Sequence, residues 1–298
     1  MLQDLVAVPP PERQESISLP DGRILAWSEW GPPDGVPVLF CTGAAMSGSL
    51  GFGAGDLAEL AVRLLAIDRP GLGRSDPHPG KTLSTWAEDV RELVRARELG
   101  TPLAVGFSQG APFALALAGR GVVRALALVS AQDQLSHPRV EPLLPPEVAG
   151  MVAAVRRDPT GFERGFAQVA TPDGLWKLIV EMSGEPDRAL YLSPGFGAAF
   201  GRALREGFVQ GPEGYARDLV LALGPWPVEP ERVAAPVDLW FGARDTSTVH
   251  SPDLGATLAA RLPHATRIVD PEAGGSILWT RSRDILARLL GSGTESPA

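Results

Sequence analysis

The pentapeptide Gly106-Phe107-Ser108-Gln109-Gly110 lies between an apolar run, residues 102–105, and an alanine-rich stretch, residues 111–121. A buried strand, a serine with a glycine two residues to either side, and a helix former leave the backbone little choice. The chain leaves a strand, reverses in a tight turn and enters a helix, and the turn lifts the serine out at the top of the sheet. A bare G-x-S-x-G arises often by chance. The strand before it and the helix after it make it specific if partners for the serine occur elsewhere.

The rest of the chain alternates in the same way. Residues 15–20 and 23–30, separated by Asp21-Gly22, read as a hairpin. Residues 36–41, 61–67, 102–105 and 122–129 read as buried strands, and residues 237–241 and 266–269 supply two more. Helical periodicity covers residues 83–99, with Thr82 or Ser84 as cap and Gly100 as stop. Further helices are expected at 112–118, 253–261 and 277–290, and a frayed tail over 291–298. Strands that alternate with helices imply an α/β fold with a mostly parallel sheet covered on both faces. The alternation breaks over residues 134–229, where helical segments punctuated by Pro and Gly carry nine aromatic residues, among them both tyrosines, Tyr191 and Tyr215. This interval is expected to be a helical lid inserted into a core of residues 1–133 and 230–298. Most of its aromatics should fasten it to the core, and a few should face the cleft.

Composition narrows the classes of partner. The 298 residues carry a net charge of −8, which argues against nucleic acid or an anionic membrane. Lysine occurs only at positions 81 and 177. One cysteine, Cys41, excludes an internal disulfide and a cysteine-based metal cluster. No secretory signal is visible at the start, and no apolar run reaches the roughly 18 to 20 residues that span a bilayer. A cytoplasmic protein is the simplest expectation. No P-loop and no clustered metal-ligand spacing is present, and Gly71-Leu72-Gly73 lacks the third glycine of a dinucleotide site, so no cofactor is expected.

Four landmarks occur in order. The strand Val38-Leu39-Phe40-Cys41 runs into Thr42-Gly43-Ala44; Asp68-Arg69-Pro70-Gly71-Leu72-Gly73-Arg74-Ser75 follows the next strand; the serine elbow is third; Phe241-Gly242-Ala243-Arg244-Asp245 is fourth. With these the chain resembles the α/β-hydrolase superfamily over nearly its whole length, on the branch of esterases and proline iminopeptidases. The resemblance implies that Ser108 attacks a carbonyl and forms an acyl-enzyme. It implies an oxyanion hole built from the backbone N–H groups of Gln109 and Ala44, and an acid, Asp245, that orients an imidazole. Thr42 stands where the family commonly has a histidine that helps to shape the oxyanion loop.

The family's general base follows the last strand as Gly-His. Here the chain reads Glu272-Ala273-Gly274-Gly275-Ser276, so Gly275 occupies the histidine's place, and no histidine follows His264. His264 precedes the last strand and belongs at the wrong edge of the sheet. His78, His137 and His250 follow strands and lie on the correct side, but each is expected to be a solvated or capping histidine. The base position is therefore expected to be vacant. Loss of a triad member costs about 10⁴- to 10⁶-fold in turnover. Three explanations stand: a histidine changed to glycine to trap a complex, a natural relative that has lost or relocated its base, or a fold used for binding only.

The expected activity is thus a serine hydrolase for a small ester or amide with an apolar portion, impaired by its missing base. The alternative is a catalytically silent protein that binds a ligand under the lid. A homodimer is compatible with either.

Overall fold

The expected hairpin forms from β1 (Arg13–Ser18) and β2 (Ile24–Trp30), antiparallel across Asp21-Gly22, where Gly22 takes φ +87°. The computed structural model describes residue 6 and residues 8–293; the expected frayed residues 294–298, and most of the segment before Val8, lie outside the described residues. β3 (Val36–Cys41), β4 (Val62–Ile67), β5 (Leu103–Phe107), β6 (Ala125–Val129), β7 (Val237–Gly242) and β8 (Ala265–Asp270) pair in parallel, and β2 joins them antiparallel through β4. The described residues form one eight-stranded sheet in the order β1-β2-β4-β3-β5-β6-β7-β8. The order reverses at β3, whose neighbours β4 and β5 lie on opposite sides. Such a switch point opens a crevice outside the carboxyl ends of the strands, between the ends of β3 and β5, where the elbow lies.

Helices cover both faces. α1 (Leu83–Ala96) begins at Thr82, whose hydroxyl accepts from the Thr85 N–H while the Thr85 hydroxyl accepts from the Thr82 N–H, a reciprocal cap. α2 (Gly110–Gly119) follows the elbow. Between β6 and β7 come α3 (Pro146–Arg157), α4 (Pro159–Ala167), α5 (Pro172–Met182), α6 (Glu185–Tyr191), α7 (Pro194–Gly207) and α8 (Glu213–Leu223). α9 (Ala256–Arg261) precedes β8, and α10 (Ile277–Thr280) and α11 (Ser282–Ser292) follow it. The single helix expected over 277–290 is thus two, broken where Arg281 turns to φ −129° and its guanidinium pairs with Asp270 at 2.7 Å. α11 also runs through Gly291 and Ser292, into the segment expected to be a frayed tail.

Successive strand residues face opposite ways, so the core is double. Val38, Phe40, Leu64, Val105 and Val129 pack toward α11 and the helical insertion, whereas Leu39, Cys41, Leu65 and Leu128 pack toward α1, α2 and α9. Cys41 is fully buried, and burial pushes its thiol up to about 12, which makes it an apolar filler. A chain of aromatic contacts ties the insertion to the elbow: Phe107 meets Trp279 at 4.8 Å between ring centroids, and Trp279 meets Phe196 at 5.0 Å. No helix among the described residues is long and apolar enough to cross a membrane.

Candidate active site

Ser108 sits at the turn between β5 and α2 with φ +50°, a left-handed conformation that non-glycine residues adopt rarely and at functional turns. Its N–H is held by the Val129 carbonyl at 3.0 Å, and its own carbonyl accepts from Ala111 and Gln132. The two glycines of the motif are required by space. A Cβ at Gly110 would run into the carbonyls of Cys41 and Thr42, and one at Gly106 would lie 2.7 Å from the Ala114 Cβ. The elbow is thereby pressed against the end of β3, next to Ala44. Gln109 is the residue before the first helical position of α2 and is 3 % exposed. A helix leaves its first N–H groups without intrahelical partners, which places free donors beside the serine.

Ser108, Asp245, Ala44 and Gly275 line one cleft, so the sequence-derived residues do converge. No imidazole comes from the position after the last strand, where one was expected. The imidazole of His250 stands between Asp245 and Ser108, with Nε2 at 2.9 Å from Ser108 Oγ and Nδ1 at 2.6 Å from Asp245 Oδ2. The expectation of His250 as a solvated or capping side chain is corrected on this point. His250 is 8 % exposed and its ring lies edge-on to Phe107. His78 and His137 do not line the cleft; His137 Nδ1 accepts from the Arg139 N–H at 3.3 Å, a local turn contact. His264 is exposed before β8.

The path of residues 243–255 explains the relocation. After β7 the chain passes Asp245, whose Oδ1 accepts from the Ser247 N–H at 2.9 Å, and folds back across the end of β6. There the Ser251 N–H donates to the Ala131 carbonyl at 2.9 Å, and Ser251 Oγ lies 3.1 Å from Asp133 Oδ2 and 3.0 Å from Asp253 Oδ1. Asp253 then accepts from the N–H and hydroxyl of Thr257 in the first turn of α9. His250 is held between these anchors. The sequence carried a faint signal: His250 shares a loop with Asp245, on the correct edge of the sheet.

Gly275 borders the cleft on the far side of Asp245. A Cβ there would lie 2.8 Å from Asp245 Oδ1, so the acid fills the space that a side chain would need. The N–H groups of Gly275 and Ser276 and the Ser276 hydroxyl donate to Asp187 of α6, at 2.8, 2.8 and 2.6 Å. The insertion thus holds the loop that was expected to carry the base. Of its aromatics, Tyr191, Phe200 and Tyr215 line the cleft and, like Phe196, are also packed into the core. No group of three or more His, Cys, Asp or Glu among the described residues is arranged to hold a metal ion.

Comparison with known proteins agrees with this architecture. The chain is 35 % identical over 103 residues to a non-heme chloroperoxidase of Streptomyces lividans, covering 32 % of this chain and 35 % of that protein. It is 34 % identical over 106 residues to a proline iminopeptidase of Neisseria gonorrhoeae, covering 35 % of this chain and 34 % of that one. The matched part thus spans about a third of the length of these curated relatives. Among solved structures, an enol-lactonase from Burkholderia xenovorans LB400 superposes with a TM-score of 0.69 at 16 % identity, covering 94 % of this chain and all of that chain, a likeness of fold. The sequence pattern of the alpha/beta hydrolase fold matches residues 36–282. The chain belongs to the alpha/beta hydrolase fold family.

Proposed function

We propose that the protein is a serine hydrolase for small, neutral esters with an apolar acyl or alcohol part, and that its base is His250. The observation that carries this reading is the continuous hydrogen-bonded line Ser108–His250–Asp245. Ser108 Oγ adds to the ester carbonyl as Nε2 of His250 takes its proton. Asp245 accepts from Nδ1–H, which fixes the tautomer and stabilises the imidazolium. The carbonyl oxygen, now an anion, is received by the N–H groups of Ala44 and Gln109. The tetrahedral intermediate expels the alcohol, which leaves with the proton from His250. Water then attacks the acyl-enzyme through the same base and releases the acid.

The lining favours esters over amino-terminal peptides. Met46, Phe107, Leu175, Ile179, Phe200 and Val249 make the cleft apolar. Of its carboxylates, Asp245 is engaged by His250 and Ser247, and Asp187 by Gly275 and Ser276. Neither is left to hold a substrate ammonium. A fluorophosphonate probe should label Ser108 in the wild-type protein, and p-nitrophenyl butyrate hydrolysis should fall by about 10⁴-fold or more in His250→Ala and Ser108→Ala. A folded His250→Ala protein with undiminished turnover would remove the base from the proposal.

A further inference from the structure

The oxyanion loop lacks the family's histidine, and Arg69 lies where that loop needs support. Its side chain is fully buried. Nη1 donates to the Thr42 carbonyl at 2.6 Å and lies 3.2 Å from Thr42 Oγ1; Nη2 donates to the Gly43 carbonyl at 2.8 Å; Nε donates to Asp218 Oδ2 of α8 at 2.6 Å. Asp218 is held in turn by Lys81 Nζ at 2.5 Å, and the guanidinium lies over the Phe113 ring at 4.7 Å.

One of these bonds bears on the chemistry. The Gly43 carbonyl and the Ala44 N–H belong to the same peptide unit. A trans peptide is planar and points its C=O and N–H in opposite directions, and the described residues contain no cis bond. A cation that grips the Gly43 oxygen from behind therefore fixes the plane in which the Ala44 N–H projects. It also draws electron density toward that oxygen and makes the N–H a stronger donor, as in any chain of polarised hydrogen bonds. Arginine suits this place because its planar fork spans two successive carbonyls and stays charged when buried.

We infer that Arg69 is the positioning residue of the oxyanion hole, acting through the Gly43–Ala44 peptide, and that Asp218 makes its orientation depend on the seated helical insertion. The inference rests on the acyl-enzyme reading above. A lysine at position 69 reaches one carbonyl with a point charge, and a glutamine supplies no cation.

The test uses the full chain with an aryl trifluoromethyl ketone, which forms a hemiketal with an active serine, and follows the hemiketal oxyanion by ¹⁹F NMR across pH. In Arg69→Gln, kcat for p-nitrophenyl butyrate should fall about 10²-fold, as when one oxyanion donor is lost, with KM nearly unchanged. The hemiketal pKa should rise by about two units, the same factor expressed as an equilibrium. Arg69→Lys should lie between this variant and the wild type. Should a position-69 variant fail to fold, Asp218→Asn, which weakens the Nε side of Arg69 together with the Lys81 ion pair, should move the hemiketal pKa the same way. Absence of any hemiketal in the wild-type protein would defeat the acyl-enzyme reading and this inference with it. A hemiketal whose pKa is the same in wild type and in every folded variant would overturn the role of Arg69 alone.

Discussion

At Gly275 the absence of a side chain belongs to the design. With Asp245 Oδ1 only 2.8 Å from the point a Cβ would occupy, any larger residue displaces the acid that holds His250. Gly275→His should lower esterase turnover about 10²-fold, the usual cost of misplacing a catalytic group by about 1 Å, as measured by kcat on p-nitrophenyl butyrate in a variant shown to be folded. A rise in kcat would mean that the acid can serve an imidazole from either side. Arg69 was legible only as one letter of the D-x-P-G loop, because a guanidinium's partners, here the carbonyls of Thr42 and Gly43, are brought to it by a parallel strand pairing that no local pattern encodes.

Between elements, the loop after β7 is tied to the end of β6 through Ser251 and Asp133. One hydroxyl proton cannot serve both Asp133 Oδ2 at 3.1 Å and Asp253 Oδ1 at 3.0 Å. A protonated Asp133 resolves the conflict: it donates to Ser251, and Ser251 donates to Asp253. Burial pushes the Asp133 carboxyl up from 3.8 to about 6, against the opposing pulls of the Gln134 N–H and the Ser251 hydroxyl. A carboxyl raised by folding lends stability that is fully present below its unfolded value and lost as pH rises through the folded one, here between about 4 and 6. Asp133→Asn, which mimics the protonated form, should therefore stabilise the protein at pH 8 by on the order of 2 kcal/mol and have little effect at pH 4. Urea unfolding at the two pH values checks this, and equal effects at both would refute it. Strand periodicity and the Thr82 cap were readable because they are local. The position of His250 was not, because it depends on how residues 243–255 double back over the end of β6, a contact set by Ser251 and Ala131 from loops far apart in sequence. The break at Arg281 was hidden for the same reason, since its partner Asp270 ends another element.

Over the whole molecule, the insertion is seated backbone to backbone on the core. The Ser47 N–H donates to the Ala203 carbonyl at 3.0 Å, a Cβ at Gly207 would strike the Ala45 carbonyl, and Gly214 lies directly on Gly71. α7 and α8 are thus fixed beside the loops that follow β3 and β4. The cleft they help to cover is small, about 100 Å³, with Leu178 of α5, 48 % exposed, at its rim. Pockets for drug-sized ligands run to several hundred cubic ångströms. Short acyl groups should therefore be preferred, with kcat/KM falling at least about tenfold from p-nitrophenyl butyrate to the decanoate; a flat or rising series would show that the cleft widens in solution. The expected hydrolase architecture was legible in the order of its landmarks, each of which is a short, local turn.

Asp245 and His250 reach the serine on a single hexapeptide. In the layout the family usually shows, the two come from separate loops, and their alignment depends on how the last strand docks. On the reading proposed above that dependence is gone, and no residue past 276 takes part in the chemistry. Substitutions in the C-terminal segment that keep the fold should then leave turnover intact, and the hexapeptide becomes a cassette to be transplanted whole into a scaffold of the same topology.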